Sequence, residues 1–189
     1  MKTTAATRPL LLAGLFLALS LVLACGDDDG GDDPSAANNG GDEGIAGYFA
    51  DIQRIFQNAE DATNEAEETA NAGNPEQTLD TRISVMDTYL GEIDTIFNDA
   101  ISSLEALNVP DSAAESHQDF VDGVRDSIVA ANALRDDLTG VTTEAQMESR
   151  LVEFNGDIAA AADKADAACL ALQEIADGED LGIDLDCED

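Results

Sequence analysis

The chain has no tryptophan, one histidine, three cysteines and four prolines in 189 residues, and aromatic side chains make up 4% of it. Basic residues are scarce beside acidic ones: 8 Lys and Arg against 41 Asp and Glu, a formal charge of −33. Each shortage excludes something. A surface without Lys/Arg patches repels polyanions, which excludes nucleic acid as a partner. Docking on anionic lipid headgroups through basic residues is excluded in the same way. A lone histidine, His117, with Ala114 three positions before it, cannot supply the paired Glu-x-x-His motifs of di-iron bundles. Isolated cysteines offer neither a Cys-x-x-Cys-His haem attachment nor clustered zinc ligands. Lysine occurs only at Lys2 and Lys164, neither in a phosphate-binding loop, and no Gly-x-Ser-x-Gly elbow occurs. These absences predict a protein that is not an enzyme and takes no cofactor.

What is present begins with the segment MKTTAATRPLLLAGLFLALSLVLAC, residues 1–25. Lys2 and Arg8 precede an apolar run from Leu10 to Leu23, broken only by Gly14 and Ser20. A run of about 14 residues suits a secretory signal and falls short of the ~20 that span a bilayer. Its ending, Val22-Leu23-Ala24-Cys25, resembles the lipobox of bacterial lipoproteins. The resemblance implies that residues 1–24 are removed and that Cys25 becomes the acylated N-terminus. The protein would then sit outside the cytoplasm, anchored by lipid to a cell membrane. Gly26, where an Asp would retain a lipoprotein in the inner membrane, implies onward sorting to an outer membrane if the host is Gram-negative. Loss of the signal leaves six basic residues against 41 acidic ones, a formal −35.

Residues 26–43, GDDDGGDDPSAANNGGDE, contain nothing large and apolar that could offset the entropy of ordering. The composition predicts that residues 25–43 form a flexible acidic tether, of roughly 23 Å root-mean-square span by chain statistics.

From Ile45 the apolar period becomes that of a helix. The first stripe is Ile45, Tyr48, Phe49, Ile52, Ile55, Phe56, Ala59, Ala62 and Ala66. A second helix is expected from Asn74 as cap and Pro75 as first helical residue, with a stripe from Leu79 and Ile83 through Met86, Leu90, Ile93, Phe97, Ala100 and Leu104 to Leu107. Ser112 to Glu115 has the spacing of a capping box for a third helix, facing the core with Ala113, His117, Phe120, Val121, Val124, Ile128, Ala131, Leu134 and Leu138. Thr142 or Thr143 caps a fourth, whose stripe runs Met147, Leu151, Phe154, Ile158, Ala161, Ala165, Ala168, Leu172, Ile175. Four amphipathic helices with short breaks predict an all-α, up-down-up-down four-helix bundle over residues 44–177. Alanine dominates the second halves of the first and last helices, which predicts a thin end to the bundle.

Three further features carry candidate chemistry. His117 falls in the apolar stripe beside Glu115 and Asp119, where it is either a partly buried, hydrogen-bonded core histidine or a metal ligand or pH switch. With Cys25 committed to lipid, Cys169 and Cys187 are the remaining thiols, and outside the cytoplasm such a pair is expected to join. That disulfide would staple the acidic tail, residues 178–189, onto the bundle, Gly178 and Gly182 letting it double back. The tail offers hard oxygen ligands at Asp184, Asp186 and Glu188 for a weak cation site, and Asp184 to Glu188 is similar to the excalibur calcium motif without its glycine. The expected function is that of a lipid-anchored binding or structural module. The alternative is a binder of a small ligand or calcium, in a crevice between helices or at the tail.

Overall fold

Apolar residues at steps of three and four close into helices because that spacing gathers them on one face. In a computed structural model, which describes residues 44–71, 77–185 and 187, four such helices form and no strand occurs among the described residues. They are α1 (Ile45–Asn71), α2 (Leu79–Glu105), α3 (Ala114–Leu138) and α4 (Glu144–Gly178). The signal segment, Cys25, the tether, Asn74, Pro75, Asp186 and Glu188 lie outside the described residues.

Side-chain contacts between helices give the topology. Tyr48 and His117 place the starts of α1 and α3 at one end. Arg82 pairs with Glu144 and places the starts of α2 and α4 at the other. Arg135 on Asp87 and Arg125 on Glu105 run α2 against α3, and Lys164 on Asp126 and Arg150 on Asp137 run α3 against α4. The chain is therefore an up-down-up-down four-helix bundle, as the periodicity predicts. The diagonal helices α1 and α3 meet through the core, where the rings of Phe56 and Phe120 lie 4.9 Å apart.

The stripes are largely those the sequence marks, with additions at their edges. Tyr89 and Ile101 on α2, Thr63 on α1, Ser127 and Ala130 on α3, and Ala162, Cys169 and Ala176 on α4 are also buried. Ile45, Ala62, Leu79, Ile83, Ala100, Leu107 and Ile175 are only half-buried. An ideal helix drifts about 20° per heptad, so a strict seven-residue stripe leaves the core at its ends.

Two expected helix starts are displaced. α2 begins at Leu79 rather than at Pro75, because Thr78 takes an extended conformation and its hydroxyl accepts the Thr81 N–H at 3.3 Å. The Ser112–Glu115 capping box does not form. Pro110 opens a turn closed by Ala113 N–H on the Pro110 carbonyl at 2.9 Å, and α3 follows directly with Ala113 fully buried. Packing of Ala113 into the core fixes the backbone there without a side-chain cap. α4 starts as a capping box: Thr143 Oγ1 accepts the Gln146 N–H, and Gln146 Oε1 accepts from Thr142 N and Thr143 N at 2.9 and 3.1 Å.

The expectation of a single thin end is also corrected. Antiparallel packing puts the alanine-rich half of α1 beside the start of α2, and that of α4 beside the start of α3, at opposite ends. The two halves behave differently. A Cβ built on Gly123 of α3 would lie 2.8 Å from the Ala165 amide nitrogen and 2.9 Å from its Cα, so there α3 and α4 touch backbone to backbone. Beside the alanines of α1 the seam is open.

Candidate functional site

His117 is buried at 7% exposure in the first turn of α3. Its Nδ1 is 3.0 Å from the hydroxyl of Tyr48, itself buried at 3%, and Tyr48 packs edge-on against Phe49 at 5.0 Å. Burial pushes the Tyr48 hydroxyl above its ordinary pKa, so it keeps its proton. Burial also lowers the His117 pKa, with the Glu105 carboxylate pulling weakly the other way. With the imidazole neutral and the phenol protonated, one proton joins the Tyr48 hydroxyl oxygen to His117 Nδ1, and the imidazole tautomer sets which of the two donates. Of the two readings of His117, the geometry is that of a hydrogen-bonded core histidine. Two further buried polar residues bond within their own helices, Thr63 donating to the Ala59 carbonyl at 2.8 Å and Ser127 to that of Gly123 at 3.3 Å.

Close to the same end of the bundle the tail folds back. Gly178 stays helical, and the reversal falls instead on Asp180 and Gly182, at φ 54° and 63°. Short polar Asp tolerates the left-handed region better than most residues, and Gly has no Cβ to clash there. The sulfurs of Cys169 and Cys187 are bonded, with Cα atoms 5.6 Å apart. Gln173 clamps the segment between them: its Nε2 donates to the Ile183 carbonyl at 2.9 Å, and its Oε1 accepts the Leu185 N–H at 2.7 Å. Leu185 is 1% exposed, and Gln53 of α1 donates to the Asp184 carbonyl at 3.2 Å. Asp184 thus contributes its backbone to a strap from α4 to α1, with its residue surface exposed. Among the described residues no three His, Cys, Asp or Glu side chains converge on a point that could hold a metal; Asp186 and Glu188 are outside them.

A third feature had no counterpart among the candidate residues. Along the seam of α1 and α2 runs an open crevice of about 750 Å³, floored by Ala62, Ala66, Gly91 and Ile96 and rimmed by Glu65 and Glu92. It continues past Ala59 and Ala100 to Asp99 and Ser103. The Arg135 guanidinium from α3 enters it, bonded to Asp87 by Nε at 2.7 Å, with Cζ 3.3 Å from where a Cβ on Gly91 would stand. Gly91 and Gly123, glycines in mid-helix where Ala is favoured by about 1 kcal/mol, mark in the sequence the contact of α2 with Arg135 and that of α3 with α4.

The fold and these features define an all-α four-helix bundle with a strapped tail and an open inter-helix crevice. No family model matches the chain, and no curated protein or solved structure matches it either.

Proposed function

We propose that this protein is a lipid-anchored, non-enzymatic binding module of a bacterial cell envelope, with Cys25 as its acylated N-terminus and the helical bundle as its working part. The Val22-Leu23-Ala24-Cys25 motif supports the anchor. The binding half is carried by the crevice between α1 and α2, an open space of about 750 Å³, whereas α3 and α4 touch backbone to backbone at Gly123 and Ala165. Among the described residues no helix is long and apolar enough to cross a membrane, so an anchor at Cys25 would carry the attachment. Lipid chains hold because each buried methylene contributes about 0.8 kcal/mol and two or more chains act together.

The same crevice favours the second reading, a small-ligand binder, because its volume lies in the range of about 300–1,000 Å³ typical of such sites. Its long open side and small-residue floor suit a segment of a partner better than a small enclosed molecule. The test of the anchor is Cys25→Ser. The variant should leave the detergent phase and lose radiolabelled palmitate, and unchanged partitioning would end the lipoprotein reading.

A further inference from the structure

We propose that the seam between α1 and α2 is the docking groove for a basic amphipathic helix of a partner protein; this deepens the binding-module reading and rests on it. Two observations converge on that occupant. The first is shape. The groove continues along both helices, from Ile55 and Ser103 at one end to Ala70 and Ser84 at the other. Residues 55–70 of α1 cover about 22 Å at 1.5 Å per residue, the length of four helical turns. A floor of Ala62, Ala66 and Ile96 lets another helix approach closely and gives its apolar face a place to bury.

The second observation is charge. Glu65 on one bank, and Glu92 and Asp99 on the other, have no ion pair among the described residues. Glu92 and Asp99 stand seven residues apart on α2, about 10.5 Å along its axis. Lysine or arginine at the same seven-residue spacing on a second helix would meet both. A second copy of the chain is the wrong occupant: two mature chains of −35 repel each other, and their six basic residues each already meet a carboxylate.

The test uses the full chain in neutral detergent at about 0.15 M NaCl, where exposed charges are screened beyond roughly 8 Å. The probe is a fluorescent helical peptide of about 20 residues, long enough to hold a helix, with an Ala/Leu face and a lysine or arginine every seventh position. Anisotropy should rise and saturate. The seam variant Glu65→Gln/Glu92→Gln/Asp99→Asn should weaken binding about tenfold or more, as removal of complementary charge does at a docking site. A control, Glu148→Gln/Asp157→Asn/Asp163→Asn, removes the same charge from the exposed face of α4 and should change it less than about twofold. Ala62→Phe fills the floor without altering charge and should weaken binding as the seam variant does. Equal weakening by seam and control variants, or equal binding of a scrambled peptide of the same charge, would show diffuse attraction and overturn the groove. Absence of saturable binding would overturn it too. Because Cys25→Ser reports on anchoring alone, failure of the groove and failure of the anchored-module reading are separable outcomes.

Discussion

Two antiparallel seams of this bundle, α3–α4 and α1–α2, are built from similar small residues and come out opposite. Along α3 and α4, Gly123 rests on the backbone of Ala165, and Ser127 one turn on is buried at 1%. Lys164 on Asp126 at 2.8 Å and Arg150 on Asp137 at 3.2 Å brace the same seam from outside. Along α1 and α2, Ala62 and Ala100 are only half-buried, and the helices flank a crevice. No ion pair among the described residues joins α1 to another helix, since Arg54 pairs with Asp51 in its own helix. α1 is held instead by its apolar stripe, by Tyr48 on His117 and by Gln53 on the strap. Small residues therefore do not by themselves close a seam. They permit closeness, and a glycine facing a backbone uses it; a glycine facing a long flexible side chain, as Gly91 of α2 faces Arg135 of α3, does not.

The sharpest way to break this contrast is to add a methyl group on each side. Gly123→Ala would place its Cβ below 3.0 Å from the Ala165 backbone, and the helices must separate. The expected cost is about 3 kcal/mol, at the upper end of overpacking, or roughly 10 °C in melting temperature for a domain of this size. Gly91→Ala meets only the movable Arg135 guanidinium at 3.3 Å and gains helix propensity, so stability should stay level or rise by up to about 1 kcal/mol. Equal effects in thermal melts of the two variants would abolish the distinction between a glycine packed on backbone, where α3 meets α4, and one packed on a movable side chain, where α2 meets α3.

Of comparable size is the strap. Opening the Cys169–Cys187 loop, 18 residues in separation, with a double Cys→Ala change should cost about 3 kcal/mol in the chain-entropy account. The loss should appear first where α1 depends on the strap. Hydrogen exchange should then quicken in α1 more than in the α3–α4 pair, and uniform quickening would mean that the bundle opens only as a whole.

A smaller effect is expected at the Tyr48–His117 bond, which joins α1 to α3. Tyr48→Phe leaves Nδ1 without its hydrogen-bond partner and should cost about 1–2 kcal/mol. The pH dependence has a definite sign. Burial lowers the His117 pKa, so near the ordinary value of about 6.5 the unfolded chain binds more protons than the folded one. This contribution to stability is complete above pH 6.5, by about that reference value, and is lost as pH falls below it. Denaturation of wild type and His117→Gln at pH 7.5 and pH 5 (roughly one unit either side of that value) should show the wild type losing more on acidification. Parallel losses would place the imidazole in solvent rather than in the core.

The smallest effect concerns charge. All six basic residues outside the signal segment sit in exposed or half-exposed ion pairs, each worth about 0–1 kcal/mol, against 41 acids. Net repulsion should prevail, and raising NaCl from about 0.05 to 1 M should lift the melting temperature by several degrees as screening shortens to roughly 3 Å. A flat or falling melting temperature would mean that the pairs bracing α3 and α4 outweigh the repulsion.

Much of the fold was legible because burial on a helix has a period. Phe49, Ile52, Leu90, Ile93, Phe120, Leu134, Phe154 and Leu172 follow that period and are buried. Local signals failed where packing overrode them. Ser112 and Glu115 have the spacing of a cap, yet the burial of Ala113 sets the start of α3. Tyr89 was missed because a strict seven-residue stripe passes it by, although burial and the Glu67 carboxylate both raise the pKa of its hydroxyl. Gln173 reads as an ordinary polar position; its role depends on two backbone groups more than nine residues away in sequence.

The sequence by itself determined the class of fold, the number of helices and most core positions, because those depend on hydrophobic period and on the residues that break helices. It also determined the extreme acidity and the lone imidazole, which follow from composition alone. Tertiary structure decided the rest: that Tyr48 meets His117, that Gln173 holds the tail, and that one alanine-rich seam closes while the other opens. These depend on which helix faces which, at what level and how near. Such distances are set by the packing of four helices at once, and no single helix encodes them.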